Sequence, residues 1–204
     1  MKRTIACLLG LLLSSFVHAQ NIELPAPHKT GGMPLMEALA KRSTARAFDA
    51  RELSAQQLSD LTWAGLGISR PDGKRTSPTA HNSQEIELYV LMKQGAYVYD
   101  AAANTLRLQV AEDLRAPGGK ANAPVVLLFV ADLAKSTEPA GEKKNLAVVD
   151  SGFVSENIYL FCASEGLATG YRISGIDREA LSAKLKLRAE QVIVAAQSVG
   201  YPKS

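Results

Sequence analysis

Residues 150–170 read DSGFVSENIYLFCASEGLATG. They close the longest helix the sequence predicts, from about Lys144 to Glu165, and Gly166 follows it directly. Glycine is the residue that takes the left-handed conformation of a helix end at least cost. Outward toward the C-terminus, Asp177 opens a further helix, and Gln191 to Val199 form a closing strand. Outward the other way, Val125 to Val130 are continuously apolar, as expected of a central strand buried on both faces. Glu85 to Lys93 alternate, with Ile86, Leu88, Val90 and Met92 on one side of a strand. Ala96-Tyr97-Val98-Tyr99 and Thr105-Leu106-Arg107-Leu108 flank a short turn and predict a hairpin.

Two helices precede these strands. Pro34 to Lys41 has helical spacing through Leu35 and Leu39, with Pro34 suited to a first turn. Ser54-Ala55-Gln56-Gln57 is a capping box, opening a helix through Leu58, Leu61 and Ala64 that ends at Gly65 or Gly67. Ser69 to Pro78 is a loop punctuated by Pro71-Asp72-Gly73. The order predicts an α+β fold, a mostly antiparallel sheet packed by helices, in one domain over residues 34–204. Residues 20–33 read as an extended lead-in, rich in proline and glycine.

The first 19 residues have the layout of a secretory signal. Lys2 and Arg3 precede an apolar run, and Val17-His18-Ala19 offers a cleavage point after Ala19. That run is too short for a bilayer span, which needs about 20 residues. The expectation is an exported, periplasmic protein. Hydrophobic residues at 47% and charged residues at 21% describe a globular chain. A net charge of +3, carried by dispersed residues, gives no nucleic-acid stripe. Lys143-Lys144 and the Lys184/Lys186 pair suit solvated helix faces. Beyond the signal, Cys162 is the one cysteine, and its apolar surroundings favour a buried thiol over a nucleophile. His28 and His81 form no metal-ligand cluster with other residues, and no catalytic nucleophile–base arrangement suggests itself.

Four segments carry the functional signal, each unspecific by itself. KRSTARAFD (residues 41–49) places Arg42, Ser43, Thr44 and Arg46 before Phe48. Guanidinium groups grip phosphate oxygens in pairs, and neighbouring hydroxyls add hydrogen bonds; an ordinary helix end with arginine in its last turn would read the same way. RTSPTAHNSQE (75–85) holds Arg75 and Asn82 in a loop rich in turn formers. The third is the 150–170 stretch, with Glu165 and Gly166 at its helix end, where an ordinary cap also suffices. The fourth is AAQSVGYPKS (195–204), in which Lys203 is either a phosphate ligand or part of a solvated terminus.

In this order, the four resemble the FMN-binding nitroreductase superfamily, and most nearly its SagB-type branch of dehydrogenases. The resemblance runs from about Leu35 to the C-terminus and includes TWAGLG (62–67). It implies a nitroreductase-like homodimer with FMN at the subunit interface. Arg42, Ser43, Thr44 and Arg46 would hold phosphate or ring edge, with Arg75 and Lys203 as further phosphate partners. Asn82 would meet the isoalloxazine, whose edge suits an amide that both donates and accepts. Glu165 and Gly166 would lie along the reactive flavin edge, and Phe153, Ile158, Leu160 and Phe161 would pack core or dimer. Thr79 stands where the family carries serine, and the lysine–tyrosine pair of azoline-forming members cannot be traced. The chain ends two residues after Pro202, so the expectation includes no C-terminal arm wrapping the partner. The resemblance implies hydride or electron transfer between a donor and a small organic substrate sharing one open site. Export separates such an enzyme from nicotinamide dinucleotides, which favours substrate oxidation or feeding by a membrane redox partner. The alternative is a flavin-binding carrier or sensor that does not turn over.

Overall fold

The computed structural model describes residues 20–120 and 122–203. The expected export signal lies outside the described residues. In chain order the elements are β1 (Ile22–Glu23), α1 (Leu35–Lys41), α2 (Ala55–Leu66), β2 (Ile86–Met92), β3 (Gly95–Asp100) and β4 (Thr105–Val110). They continue with β5 (Val125–Asp132), α3 (Ala140–Ser164), β6 (Ala168–Arg172), α4 (Arg178–Leu185) and β7 (Gln191–Gly200). The strands form one sheet in the order β1-β4-β3-β2-β5-β7-β6, antiparallel at every pairing. This is the expected α+β layout.

Strand β5 explains how one sheet supports two helical layers. Val125, Leu127, Phe129 and Ala131 face a core shared with Leu58 and Leu61 of α2 and Val154, Ile158 and Cys162 of α3. Val126, Leu128 and Val130 face the other way, against Leu181 and Leu185 of α4. Successive strand side chains point to opposite faces, so a strand covered on both sides must be apolar throughout. Helix α2 starts at the expected capping box: Ser54 Oγ accepts from the Gln57 N–H, and Gln57 Oε1 accepts from the Ser54 N–H.

Two elements differ from expectation. Helix α3 begins at Ala140, a turn before Lys144, because Pro139 sits at its N-cap and starts it there. The residues after Gly166 do not stay a turn: Ala168–Arg172 pair with β7 as an edge strand. Within β6, a Cβ on Gly170 would stand 2.5 Å from the Ala45 carbonyl oxygen. Glycine is there because another backbone lies against the strand, a reason invisible in local propensity.

Candidate functional site

The segment between α1 and α2 runs across the end of the sheet and stitches both ends of the domain together. The Ala45 N–H donates to the Thr169 carbonyl at 2.7 Å, and the Asp49 N–H donates to the Tyr201 carbonyl at 3.0 Å. Phe48 pairs with Pro202 in an isolated antiparallel bridge. Arg46 and Lys203 therefore emerge beside one bridge, although they lie near opposite ends of the sequence. Arg42 sits over the ring of Tyr159, 5.3 Å from its centroid. Tyr159 accepts the Tyr171 N–H at 2.9 Å, and its hydroxyl lies 3.1 Å from Thr44 Oγ1. Ser43 and Arg46 are exposed beside them.

Arg42, Arg46 and Lys203 have no carboxylate partner among the described residues. By contrast, Arg115 and Arg188 each close on an aspartate at 2.6 Å. Three uncompensated cations with the hydroxyls of Ser43 and Thr44 fit a dianionic phosphate, the terminus of FMN.

Glu165 and Gly166 terminate α3. The Glu165 N–H donates to Phe161 and the Leu167 N–H to Cys162, with the Gly166 N–H between them. Gly166 has φ +67°, and its missing Cβ faces open space. Glycine is required here by conformation, and the space beside it admits the edge of a planar group. Glu165 lines a cavity of about 340 Å³ with Trp63, Phe161 and the lead-in residues His28 to Gly32.

Among the described residues, no hydrogen bond or ion pair joins Arg75 or Asn82 to the cationic segment. Arg75 is turned inward, donating to the Leu66 carbonyl at 2.8 Å and to Gln84 Oε1 at 3.0 Å. Burial pulls its pKa below the ordinary arginine value. With Trp63, Asn157, Leu160 and Phe161, it lines an open groove of about 670 Å³. Asn82 is exposed at φ +55°, beside His81 at +51° and Gln84 at +48°. Non-glycine residues in this region are uncommon, and Asn tolerates it best.

Helix α3 holds that loop in place. Asp150 Oδ2 accepts the Ala80 N–H at 3.0 Å, and Asn157 Nδ2 donates to Ser77 Oγ at 3.0 Å. Burial, then the neighbouring Glu85, raise the Asp150 pKa to about 6. Glu85 is itself buried, with Oε2 bound by Ser83 Oγ and Oε1 lacking a hydrogen-bond partner. Tyr159, Asp150 and Glu85 were not singled out by motif. Their sequence signal is only that polar residues recur inside an otherwise apolar helix or open a strand. Cys162 is fully buried, and burial pushes its thiol pKa up, away from nucleophile chemistry.

A family model described as the nitroreductase family matches residues 39–201. A candidate nitroreductase of Methanocaldococcus jannaschii is 28% identical over 150 residues, covering 66% of this chain and 76% of that protein. The crystal structure of a candidate nitroreductase from Ralstonia eutropha JMP134 superposes with a TM-score of 0.86 at 34% identity, covering 91% of each chain. A chain of the Escherichia coli microcin synthetase McbBCD complex shares the fold, with a TM-score of 0.68 at 14% identity. It covers 99% of this chain and 85% of that one. With a matching model across most of its length and a close structural relative, this chain belongs to the nitroreductase family.

Proposed function

We infer that the protein is an exported, FMN-dependent oxidoreductase that moves a hydride, or electrons, between a donor and a small organic substrate. The observation that carries this reading is the Phe48–Pro202 bridge, which Arg46 and Lys203 flank, with Arg42 earlier in the same segment over Tyr159. Bound FMN would supply the redox chemistry through its isoalloxazine ring. Arg42, Arg46 and Lys203 would hold its phosphate, with Ser43 and Thr44 adding hydroxyl donors. Tyr159 keeps Arg42 and Thr44 in position from below. The Gly166 backbone offers an N–H to a ring edge in the open space beside it.

The lack of any bond from Asn82 or Arg75 to this grip supports a site completed by a second copy. Exposed apolar side chains at Leu35, Met36 and Leu39 of α1 and at Val149 and Phe153 of α3 supply an interface. The motif order supports the SagB-type branch for the finer assignment. Export supports a substrate or a membrane redox partner as electron source rather than NADH or NADPH.

The first test is the visible absorption spectrum of mature protein from the exported fraction. Yellow protein releasing one FMN per chain on denaturation is the expected result. Arg42→Ala with Arg46→Ala should lose the flavin while melting as the wild type does. A flavin-replete double variant of ordinary stability removes the site assignment, and a colourless wild type that ignores added FMN removes the function. Rapid reduction by NADH or NADPH would overturn the proposed electron source.

A further inference from the structure

We propose that His28 is a substrate-facing acid–base of the cavity beside Glu165, with Asp60 its positioning residue. The proposal rests on the flavoenzyme reading above and adds a proton carrier to it. His28 belongs to the lead-in, before the family match that starts at residue 39, and lines the cavity with Lys29 to Gly32.

The geometry is that of an oriented imidazole. His28 Nδ1 lies 3.0 Å from Asp60 Oδ2, while the His28 backbone N–H donates to Asp60 Oδ1 at 2.7 Å. Gln56 Nε2 also donates to Asp60 Oδ1, at 3.0 Å. The carboxylate is thus engaged on both oxygens, with only 14% of its side chain exposed. A carboxylate acceptor at Nδ1 selects the tautomer with the proton there, leaving Nε2 as the exchanging nitrogen. The imidazole is 72% exposed, as access to a substrate requires.

The lead-in does not need this imidazole to stay in place. The Pro25 carbonyl accepts from Ser59 Oγ at 2.5 Å and from Asn104 Nδ2 at 2.8 Å. The Ala26 carbonyl accepts from Gln56, and the Met33 N–H donates to Ser164 Oγ at 2.8 Å. Gly31 and Gly32, at φ +94° and +80°, turn the chain past the end of α3. The cavity they enclose presents Trp63 and Phe161 as flat walls and Lys29 as a cation over the Trp63 ring, 5.9 Å from its centroid. The charged groups facing His28 are Asp60 of α2, Lys29 of its own segment and Glu165 at the end of α3.

A two-electron reduction gives the imidazole its task. When a nitro oxygen of a nitroarene takes a hydride equivalent from the reduced cofactor, its N–O bond then breaks and it departs at the level of hydroxide. A proton from protonated His28 Nε2 joins that oxygen, so that nitroarene, hydride and proton become nitrosoarene and water. Solvent then restores the proton. Oxidation of an alcohol or amine donor would run the proton the other way.

The test uses the full mature chain and 4-nitrobenzoate as probe. Nitrogen NMR of the histidine-labelled apoprotein, assigned with His28→Gln, should show the Nδ1-protonated tautomer at pH 8, and Asp60→Asn should convert it to the Nε2-protonated one. Trp63 is the only tryptophan, and saturable quenching of its fluorescence should report 4-nitrobenzoate in the cavity without any turnover. Photoreduced holoprotein should reduce the probe in a single turnover about 10²-fold more slowly as His28→Gln. FMN content and melting temperature should match the wild type. An unchanged rate in His28→Gln, an Nε2-protonated wild type, or a wild type that leaves the probe unreduced each overturns the proposal. Failure to bind FMN overturns the flavoenzyme reading instead, and the tautomer and quenching measurements still decide whether the oriented imidazole and its cavity exist.

Discussion

At the scale of single residues, Asp150 is the carboxyl whose ionisation the fold opposes. Its carboxyl is buried beside Glu85, and its pKa stands at about 6 against an ordinary 3.8. The native state therefore holds a proton that the unfolded chain has released between those values. Stability from this group is complete on the acid side and is lost as pH rises toward and past 6. Asp150→Asn keeps an acceptor for the Ala80 N–H but removes the ionisation. Melting curves from pH 4 to 8 should show the variant losing the descending limb near pH 6, and gaining a few degrees at pH 8 relative to wild type. An identical pH dependence in both proteins would remove the assignment. Much at this scale was hidden in the sequence. The residues of the proposed phosphate grip carry a sequence motif, but nothing in it indicates that Tyr159 would brace both Arg42 and Thr44. That brace depends on a helix and a strand edge meeting, which no local pattern encodes.

Among the elements, α2 shows how much a correctly read start signal is worth. The Ser54–Gln57 reciprocal bonds satisfy two of the N–H groups a helix leaves open. Ser54→Ala should cost about 1 kcal/mol, lowering the melting temperature by about 2–4 °C in a domain of this size. Calorimetry checks it, and a loss well below that would mean the box contributes little. Helix α2, strand β5 and the β3–β4 hairpin were legible because each carries its own periodicity or cap. Strand β6 was not, because its five residues include Gly170 and owe their pairing to β7. The lead-in was read as extended, yet its β1 pairing with β4 and its clasp on α2 rest on backbone carbonyls, which every sequence offers equally.

For the whole molecule, the proposed partner-completed site is testable through assembly. Phe153, 46% exposed on α3, and Met36, 74% exposed on α1, are the apolar groups best placed to report it. Light scattering should give a dimer for the wild type. On the proposed shared site, Phe153→Arg with Met36→Arg should halve the mass and release the flavin. A monomeric wild type that retains FMN would remove the shared site.

The seam between Phe48 and Pro202 also sets an order of events. A ribosome or a translocation pore delivers this chain from its N-terminus, so Arg42 and Arg46 emerge early and wait without their strand neighbours. Strands β7 and β6 are among the last elements to arrive, and only then does the Ala45–Thr169 and Asp49–Tyr201 stitching become possible. On the proposed phosphate grip, cofactor capture would be a terminal step of maturation, open only to a chain that has reached Lys203. The same seam would then act as a proofreading device: a chain cut short before Tyr201 could not form the Phe48–Pro202 bridge. Loading with cofactor would then mark completed molecules and leave truncated ones empty for proteolysis.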